Sequence, residues 1–155
     1  MTFKEKEHFV KVTTPKLLEN LRSKANPWWG KMNAQQMIEH LSDALRNSTE
    51  KILFPLTTPA EKLESSKNFL MSDKEFKPET KHPFLKDEPA PCRNSNILDA
   101  YTEFTNELSE FGNFFKSNPG RQTIHPGFGS LNYEEWIQCF YKHFLHHLKQ
   151  FDLVK

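Results

Sequence analysis

The feature that most constrains the fold is the stretch at residues 131–151, LNYEEWIQCFYKHFLHHLKQF, because it marks both the start and the register of a helix. Asn132 can cap the first turn, and Glu135 three residues later completes a capping box. At helical spacing, the apolar residues then share one broad face with two histidines. The residues of this face are Trp136, Phe140, His143, Phe144, His147 and Phe151. The sequence therefore predicts a helix that carries two imidazoles into the core.

A second helix opens with the same device, since Asn33 and Gln36 form another capping box. Its apolar period continues to about Glu50. His40 falls on the apolar face of this helix, so a third histidine is predicted to point inward.

Two other segments also have a helical pattern. The first follows Thr14-Pro15, where a capping residue precedes proline at the first helical position, and it extends to about residue 25. The residues before it are either an extended lead-in or part of the same helix. The other begins near residue 94 or 95 and ends before Asn118-Pro119-Gly120. At 155 residues, the whole chain 1–155 is predicted to form one all-α domain, an antiparallel four-helix bundle.

A long irregular connection separates helices two and three. Residues 55–93 hold six of the ten prolines together with many charged residues, and only residues 61–71 have the pattern of a helical turn or two. A lid or binding element and a plain surface insertion both fit such a segment. His82 is predicted to be an exposed loop histidine here.

The three inward histidines predict a metal site. A pair at positions i and i+4, here His143 and His147, can bind one cation, and His40 can add a third ligand from helix two. His146 lies about 100 degrees around the helix from His147, so it belongs beside the site or at the surface. A hydrogen-bonded histidine cluster without metal is the alternative.

Three neutral histidines would leave a tetrahedral ion with an open position, which is typical of catalytic zinc sites. Water at that position would favour hydrolysis, and a thiolate cofactor would favour transfer to an electrophile. Glu135 is explained as a cap, and the sequence lacks the H-E-x-x-H spacing of zinc proteases. Imidazole does not select strongly among zinc, nickel, iron and manganese.

Four further residues are candidates for substrate binding or catalysis. Trp29 lies in an irregular aromatic connection, and aromatic side chains are common in ligand pockets. His125 and Phe128 lie in the loop HPGFG directly before the histidine-bearing helix. Tyr141, the fourth candidate, lies on the histidine-bearing helix itself.

Composition excludes several classes of function. With 21 basic and 20 acidic residues the net charge is +1, so no polyanionic partner such as nucleic acid is indicated. The charged N-terminus does not resemble a signal peptide, and no apolar run has the length of a membrane span, so we expect a cytoplasmic protein. Cys92 and Cys139 do not form a disulfide framework by spacing.

The histidine motifs resemble a known superfamily. His40 within MNAQQMIEHLSDAL, and the pattern H-x-x-x-H-x-x-Q that begins at His143, resemble the DinB-like (damage-inducible, YfiT-like) four-helix metal-binding superfamily. The stretches PWWGKMNAQQMIEHL and HPGFGSLNYEEW resemble a bacterial subfamily of uncharacterised function. Where many members have H-R-G-Q after the last ligand, this chain has His147-Leu148-Lys149-Gln150.

The resemblance implies a zinc or nickel ion held by His40, His143 and His147. It also implies a homodimer and, in some relatives, transfer reactions that use a low-molecular-weight thiol such as bacillithiol, mycothiol or glutathione. Two functional hypotheses follow. The first is a metal-dependent enzyme acting on a small molecule, with thiol transfer slightly ahead of hydrolysis. The second is a non-catalytic bundle that binds a metal or another ligand.

Overall fold

The structure, a computed structural model, describes residues 1–78 and 88–155, so the predicted loop histidine His82 lies outside the described residues. The α-helices are α1 (Phe3–His8), α2 (Thr14–Glu19), α3 (Ala34–Ser48), α4 (Leu63–Met71), α5 (Ile97–Ser117) and α6 (Tyr133–Gln150). A π-helical turn (Phe9–Thr13) joins α1 to α2, and a 3-10 turn (Ala60–Lys62) precedes α4. Strands β1 (Thr123–His125) and β2 (Gly129–Leu131) form a small antiparallel sheet. The chain is thus mostly helical, as predicted, but the sheet is an addition to the predicted all-α architecture.

Pro15 lies in the first turn of α2, as predicted, and the residues before it are helical, which is one of the two alternatives. The run begins after Thr2, which forms a capping box with Glu5, whereas Thr14 lies inside α2 and does not cap it, and α2 ends at Glu19, before the predicted end near residue 25. In the π-helical turn before Pro15, both the backbone N–H and the hydroxyl of Thr14 donate to the carbonyl of Phe9. Proline lacks an N–H and clashes with the carbonyl four residues before it in a regular α-helix, so we attribute the wider turn to Pro15.

Both predicted capping boxes on the histidine-bearing helices are confirmed. The Asn33 side chain accepts from the backbone of Gln36, whose side chain accepts from the Asn33 backbone, and α3 begins there. Asn132 and Glu135 make the same two hydrogen bonds at the start of α6. These local contacts fix the register of each helix and therefore the direction of its histidines.

The core is built around a column of aromatic rings on α6. The Phe140 ring lies 5.3 Å from those of Trp136 and Phe144, measured between centroids. From α5, Phe111 packs 5.1 Å from Phe140, and Phe104 packs 5.6 Å from Phe144. All five side chains are at most 1% exposed. The aromatic face predicted for α6 therefore forms the centre of the domain.

The hairpin of β1 and β2 holds the loop before α6 in place. In its register Thr123 pairs with Leu131 and His125 pairs with Gly129. The hydroxyl of the buried Thr123 donates to the Ser48 carbonyl at the end of α3 and accepts from the indole N–H of Trp136. Strands of three residues are too short to give a recognisable alternation, which explains why the sequence pattern missed them.

The described part of the long connection is attached to the helices at both ends. The predicted turns at residues 61–71 are present as α4. The Lys142 ammonium donates to the carbonyl of Phe69, and the Gln138 amide donates to that of Leu70, so buried side chains of α6 satisfy the last carbonyls of α4. This attachment positions the residues that follow α4.

The far end of the connection is held by Glu39. This residue is 3% exposed, and its carboxylate accepts from the backbone amides of Arg93 and Asn94 and from the side chain of Gln35. Burial alone would raise the pKa of Glu39, but these hydrogen bonds together lower it below the ordinary value.

We expect Glu39→Gln to lower the free energy of unfolding by about 1–3 kcal/mol at pH 7, because charge-assisted hydrogen bonds are lost in a buried place. Since the folded-state pKa is lowered, the contribution of Glu39 is complete above its unfolded-state pKa of about 4.3 and is lost as the pH falls through the folded-state value. Urea unfolding at pH 7 and at pH 4 measures both effects. Exposed Glu64 gives the control variant Glu64→Gln, and equal stability of the two variants at pH 7 would contradict this role.

Cys92 and Cys139 are free thiols, exposed and buried respectively, as the absence of a disulfide pattern predicted. Within residues 1–78 and 88–155, no helix combines the length and the apolar character required to cross a membrane.

Candidate metal centre

Three histidines from two helices meet in the domain. His40 of α3 faces His143 and His147 of α6, and their potential ligand atoms all lie within 4.8 Å of one another. The two Nε2 atoms of His40 and His143 are 3.0 Å apart. Among the histidine, cysteine and acidic side chains that the structure describes, these three histidines form the group whose mutual distances fit a metal site. The structure therefore brings together the three histidines that the sequence pattern predicted to point inward.

The surroundings keep two of these imidazoles neutral. Burial, followed by the nearby His147 and His40, holds the pKa of His143 well below its usual range. Burial and then His40 likewise hold the pKa of His147 well below its usual range, although a hydrogen bond to Gln150 partly opposes the shift. At neutral pH both rings therefore carry a lone pair and no charge, which is the form that binds a metal.

The donor set fits a divalent ion. In a tetrahedral zinc site, nitrogen ligands at about 2.05 Å from the metal are about 3.3 Å apart, which lies between the observed 3.0 Å contact and the 4.8 Å limit of the group. Among residues 1–78 and 88–155 the group consists of three imidazoles without a carboxylate or thiolate, and three such ligands would leave a tetrahedral ion one position for another ligand. The residues could thus hold a metal ion.

Aromatic side chains surround the cluster on the side of the long connection. The Phe76 ring lies 6.5 Å from that of His143, and Phe128 stacks on Phe76 at 6.2 Å. Trp29 contacts the ring of His146 at 5.4 Å. Phe128 and Trp29, both predicted to line the site, therefore lie in the layer next to the histidines. Phe76 was missed, because nothing in residues 55–93 indicated which of them would return to the core.

His146 lies beside the cluster and is not part of it. Its Nδ1 is 3.3 Å from the carbonyl of Phe76, and its ring is 4.9 Å from that of His147. Burial lowers the pKa of His146, and the hydrogen bond to Phe76 opposes the shift. This position agrees with the prediction that His146 belongs beside the site or at the surface.

His125, the last residue of β1, is held in one tautomer next to the hairpin loop. Its Nδ1 accepts from the backbone amides of Gly127 and Phe128 at 2.9 and 3.2 Å, so the ring proton is on Nε2 in the neutral form. The His125 ring packs 5.6 Å from that of Trp136, and its charged form contributes to the lowered pKa of His143. His125 therefore stands close enough to influence the cluster electrostatically.

Tyr141 is the candidate that the structure does not bring to the cluster. Its ring contacts that of Phe9 at 5.2 Å and lies 5.6 Å from the ammonium of Lys6. Two residues along an α-helix correspond to about 200 degrees, so Tyr141 lies opposite His143 and faces the N-terminal helical run. The expectation that it lines the same site is corrected accordingly.

Gln150 is the functional residue whose role the sequence did not reveal. Its side-chain oxygen is 2.7 Å from Nδ1 of His147, and its amide nitrogen donates to the carbonyl of Trp29 at 2.9 Å. The position three residues after His147 was a usable signal, since residues three apart on a helix are neighbours. The partner in the Trp29 backbone could not be inferred from spacing.

Comparison with known proteins gave one family. The model of a family described as a protein of unknown function (DUF1569) matches residues 11–153, which include all three clustered histidines. No curated protein matched the chain.

Proposed function

Because the chain belongs to the DUF1569 family, whose description assigns no function, we propose from its site that the protein is a divalent-metal-dependent enzyme acting on a small molecule. The observation that carries this proposal is the convergence of His40, His143 and His147 with their ligand atoms within 4.8 Å. Zinc and nickel are the proposed metals, since both accept imidazole ligands. The same motif and the helical fold support a place in the DinB-like four-helix superfamily, with a homodimer as part of that proposal.

The absence of a carboxylate from the group favours an anionic partner. Three neutral imidazoles would leave the full charge of a divalent ion uncompensated, so a thiolate or another anion would bind there favourably. When bound, such an ion would act as a Lewis acid that lowers the pKa of a thiol or a water and polarises a substrate. We therefore place transfer from a low-molecular-weight thiol to a small electrophile slightly ahead of hydrolysis.

The chain's own residues would hold and shield this site. Phe76 and Phe128 cover the side next to His143 with apolar rings, which limits access of water and strengthens electrostatic interactions. Because Nδ1 of His125 is occupied by two backbone amides, proton exchange with a substrate would take place at its Nε2.

A non-catalytic role is the second candidate, and one contact favours it. The 3.0 Å contact between the Nε2 atoms of His40 and His143 satisfies both of these atoms if one of them carries the proton. The cluster would then stabilise the core without an ion, or with an ion that turns nothing over. In that case stability responds to a chelator only if a metal is present, and no substrate is consumed.

Enzyme assays on protein loaded with zinc or nickel separate these functions. We expect consumption of a model aryl halide electrophile only when bacillithiol, mycothiol or glutathione is added, and we expect the His40→Ala variant to lose this activity. Turnover of an activated ester without thiol would favour hydrolysis instead. If neither a thiol with the electrophile nor an ester gives turnover while the metal remains bound, the enzyme proposal fails. The non-catalytic binding role is then the remaining candidate.

A further inference from the structure

Gln150 links the cluster to the connection between α2 and α3. It is only 3% exposed, and its carbonyl oxygen is 2.7 Å from Nδ1 of His147. Its amide nitrogen is 2.9 Å from the carbonyl of Trp29, and its own backbone carbonyl accepts from the N–H of Trp28 at 2.7 Å. Hydrogen bonds therefore hold the carbonyl oxygen and the amide nitrogen of the Gln150 side chain and also its backbone carbonyl.

The protons of this chain of contacts can be assigned without ambiguity. The carbonyl of Trp29 can only accept a hydrogen bond, so the NH₂ of Gln150 must face it. The oxygen of Gln150 must then face His147, and Nδ1 of that histidine must carry the proton. This leaves the lone pair of His147 on Nε2, the other ring nitrogen.

Gly30 makes room for this arrangement. A Cβ at position 30 would lie 2.8 Å from the amide nitrogen of Gln150, closer than side-chain carbons normally approach. Gly30 also has a φ of +81°, which L residues with a side chain rarely adopt. Glycine at this position lets the Trp29 carbonyl reach Gln150.

We infer that Gln150 is a positioning residue of the proposed metal site, with Trp29 and Gly30 as its support, and that it fixes the tautomer and orientation of His147. This inference rests on the proposed function. Partners that orient a metal-binding histidine typically change metal affinity 10–100-fold when they are removed. The segment at Trp29 and Gly30 would thus act on the site through the backbone carbonyl of Trp29, and not through a tryptophan ring that contacts a substrate.

The test compares zinc affinity in three variants, using competition with a chromophoric chelator. We expect Gln150→Leu to weaken zinc binding 10–100-fold and Gly30→Ala to weaken it several-fold. The matched control is Tyr133→Phe, at the first residue of the same helix. It removes the hydrogen bond to Glu7 at the other end of α6 from His147, so zinc affinity should stay within about twofold of wild type.

A second readout uses the metal-free protein. Nitrogen chemical shifts of the imidazole should show His147 as the Nδ1–H tautomer in wild type and as a mixture in Gln150→Leu. A purely structural role for Gln150 would lower stability without changing the tautomer or the zinc affinity of the folded protein.

The outcomes separate the inference from the proposed function. If wild type binds zinc and Gln150→Leu binds it equally well, the positioning role is overturned while the metal site stands. If wild type binds no metal, the proposed function fails. The His147 tautomer in the metal-free protein then tests whether Gln150 orients that ring. A single Nδ1–H tautomer that Gln150→Leu abolishes would retain the orienting role, and a mixture in wild type would overturn it.

Discussion

The His147→Ala variant is expected to bind zinc or nickel about two to three orders of magnitude more weakly than wild type. Apparent binding energies of zinc in four-ligand structural sites, about 10–16 kcal/mol, divide to about 2.5–4 kcal/mol for each ligand, and each 1.4 kcal/mol is a factor of ten. His147 is buried and has its lone pair directed by the bond to Gln150, and among residues 1–78 and 88–155 the group contains no fourth potential ligand. Chelator competition on untagged protein measures the effect.

The neighbouring histidine provides a matched control for that measurement. His146→Ala removes an imidazole one position earlier on α6, where the ring contacts Trp29 and the Phe76 carbonyl instead of the cluster. We expect its metal affinity to remain within about tenfold of wild type, since at most an outer contact is lost. Equal losses in the two variants would show that the face of α6 has been misassigned.

The Phe140→Ala variant is expected to lose about 3–5 kcal/mol of unfolding free energy. Phe140 is fully buried between Trp136 and Phe144 and packs on Phe111 from α5, so its removal opens a cavity in the centre of the domain. For a domain of this size the midpoint of thermal unfolding should fall by about 10 °C. Denaturant unfolding of the metal-free protein at neutral pH measures the free energy without the contribution of a ligand.

An exposed apolar residue provides the comparison. Leu98 near the start of α5 is 69% exposed, and Leu98→Ala should change the unfolding free energy by no more than about 0.5 kcal/mol. If Phe140→Ala were as stable as Leu98→Ala, the aromatic column would not be the core of the fold.

The parts of this fold that were predicted correctly depend on contacts between residues close in sequence. The capping boxes of Asn33 with Gln36 and of Asn132 with Glu135 span three residues each, and they fix the two helix registers. From those registers the inward direction of His40, His143 and His147 follows, and the structure brings the three together.

The parts that were missed depend on contacts between residues far apart in sequence. Gln150 is held by the backbone of Trp29, and Phe76, which contacts His143, follows α4, whose carbonyl at Phe69 accepts from Lys142 of α6. A backbone carbonyl has no sequence signature, and loop residues have no period that shows which of them return to the core. Whether the helix also includes the residues before Pro15 could not be decided from the sequence, because a single π-helical turn allows proline inside a continuous helical run.

The most direct test of the metal centre is the metal content per chain of untagged protein, measured by plasma mass spectrometry for wild type and for His40→Ala. His40 comes from α3 and the other two histidines from α6, so a loss in this variant requires that both helices meet at one ion. We predict close to one zinc or nickel ion per wild-type chain and almost none in His40→Ala. No metal in wild type after loading with both ions, or the same metal content in the two proteins, would contradict a metal centre formed by these histidines.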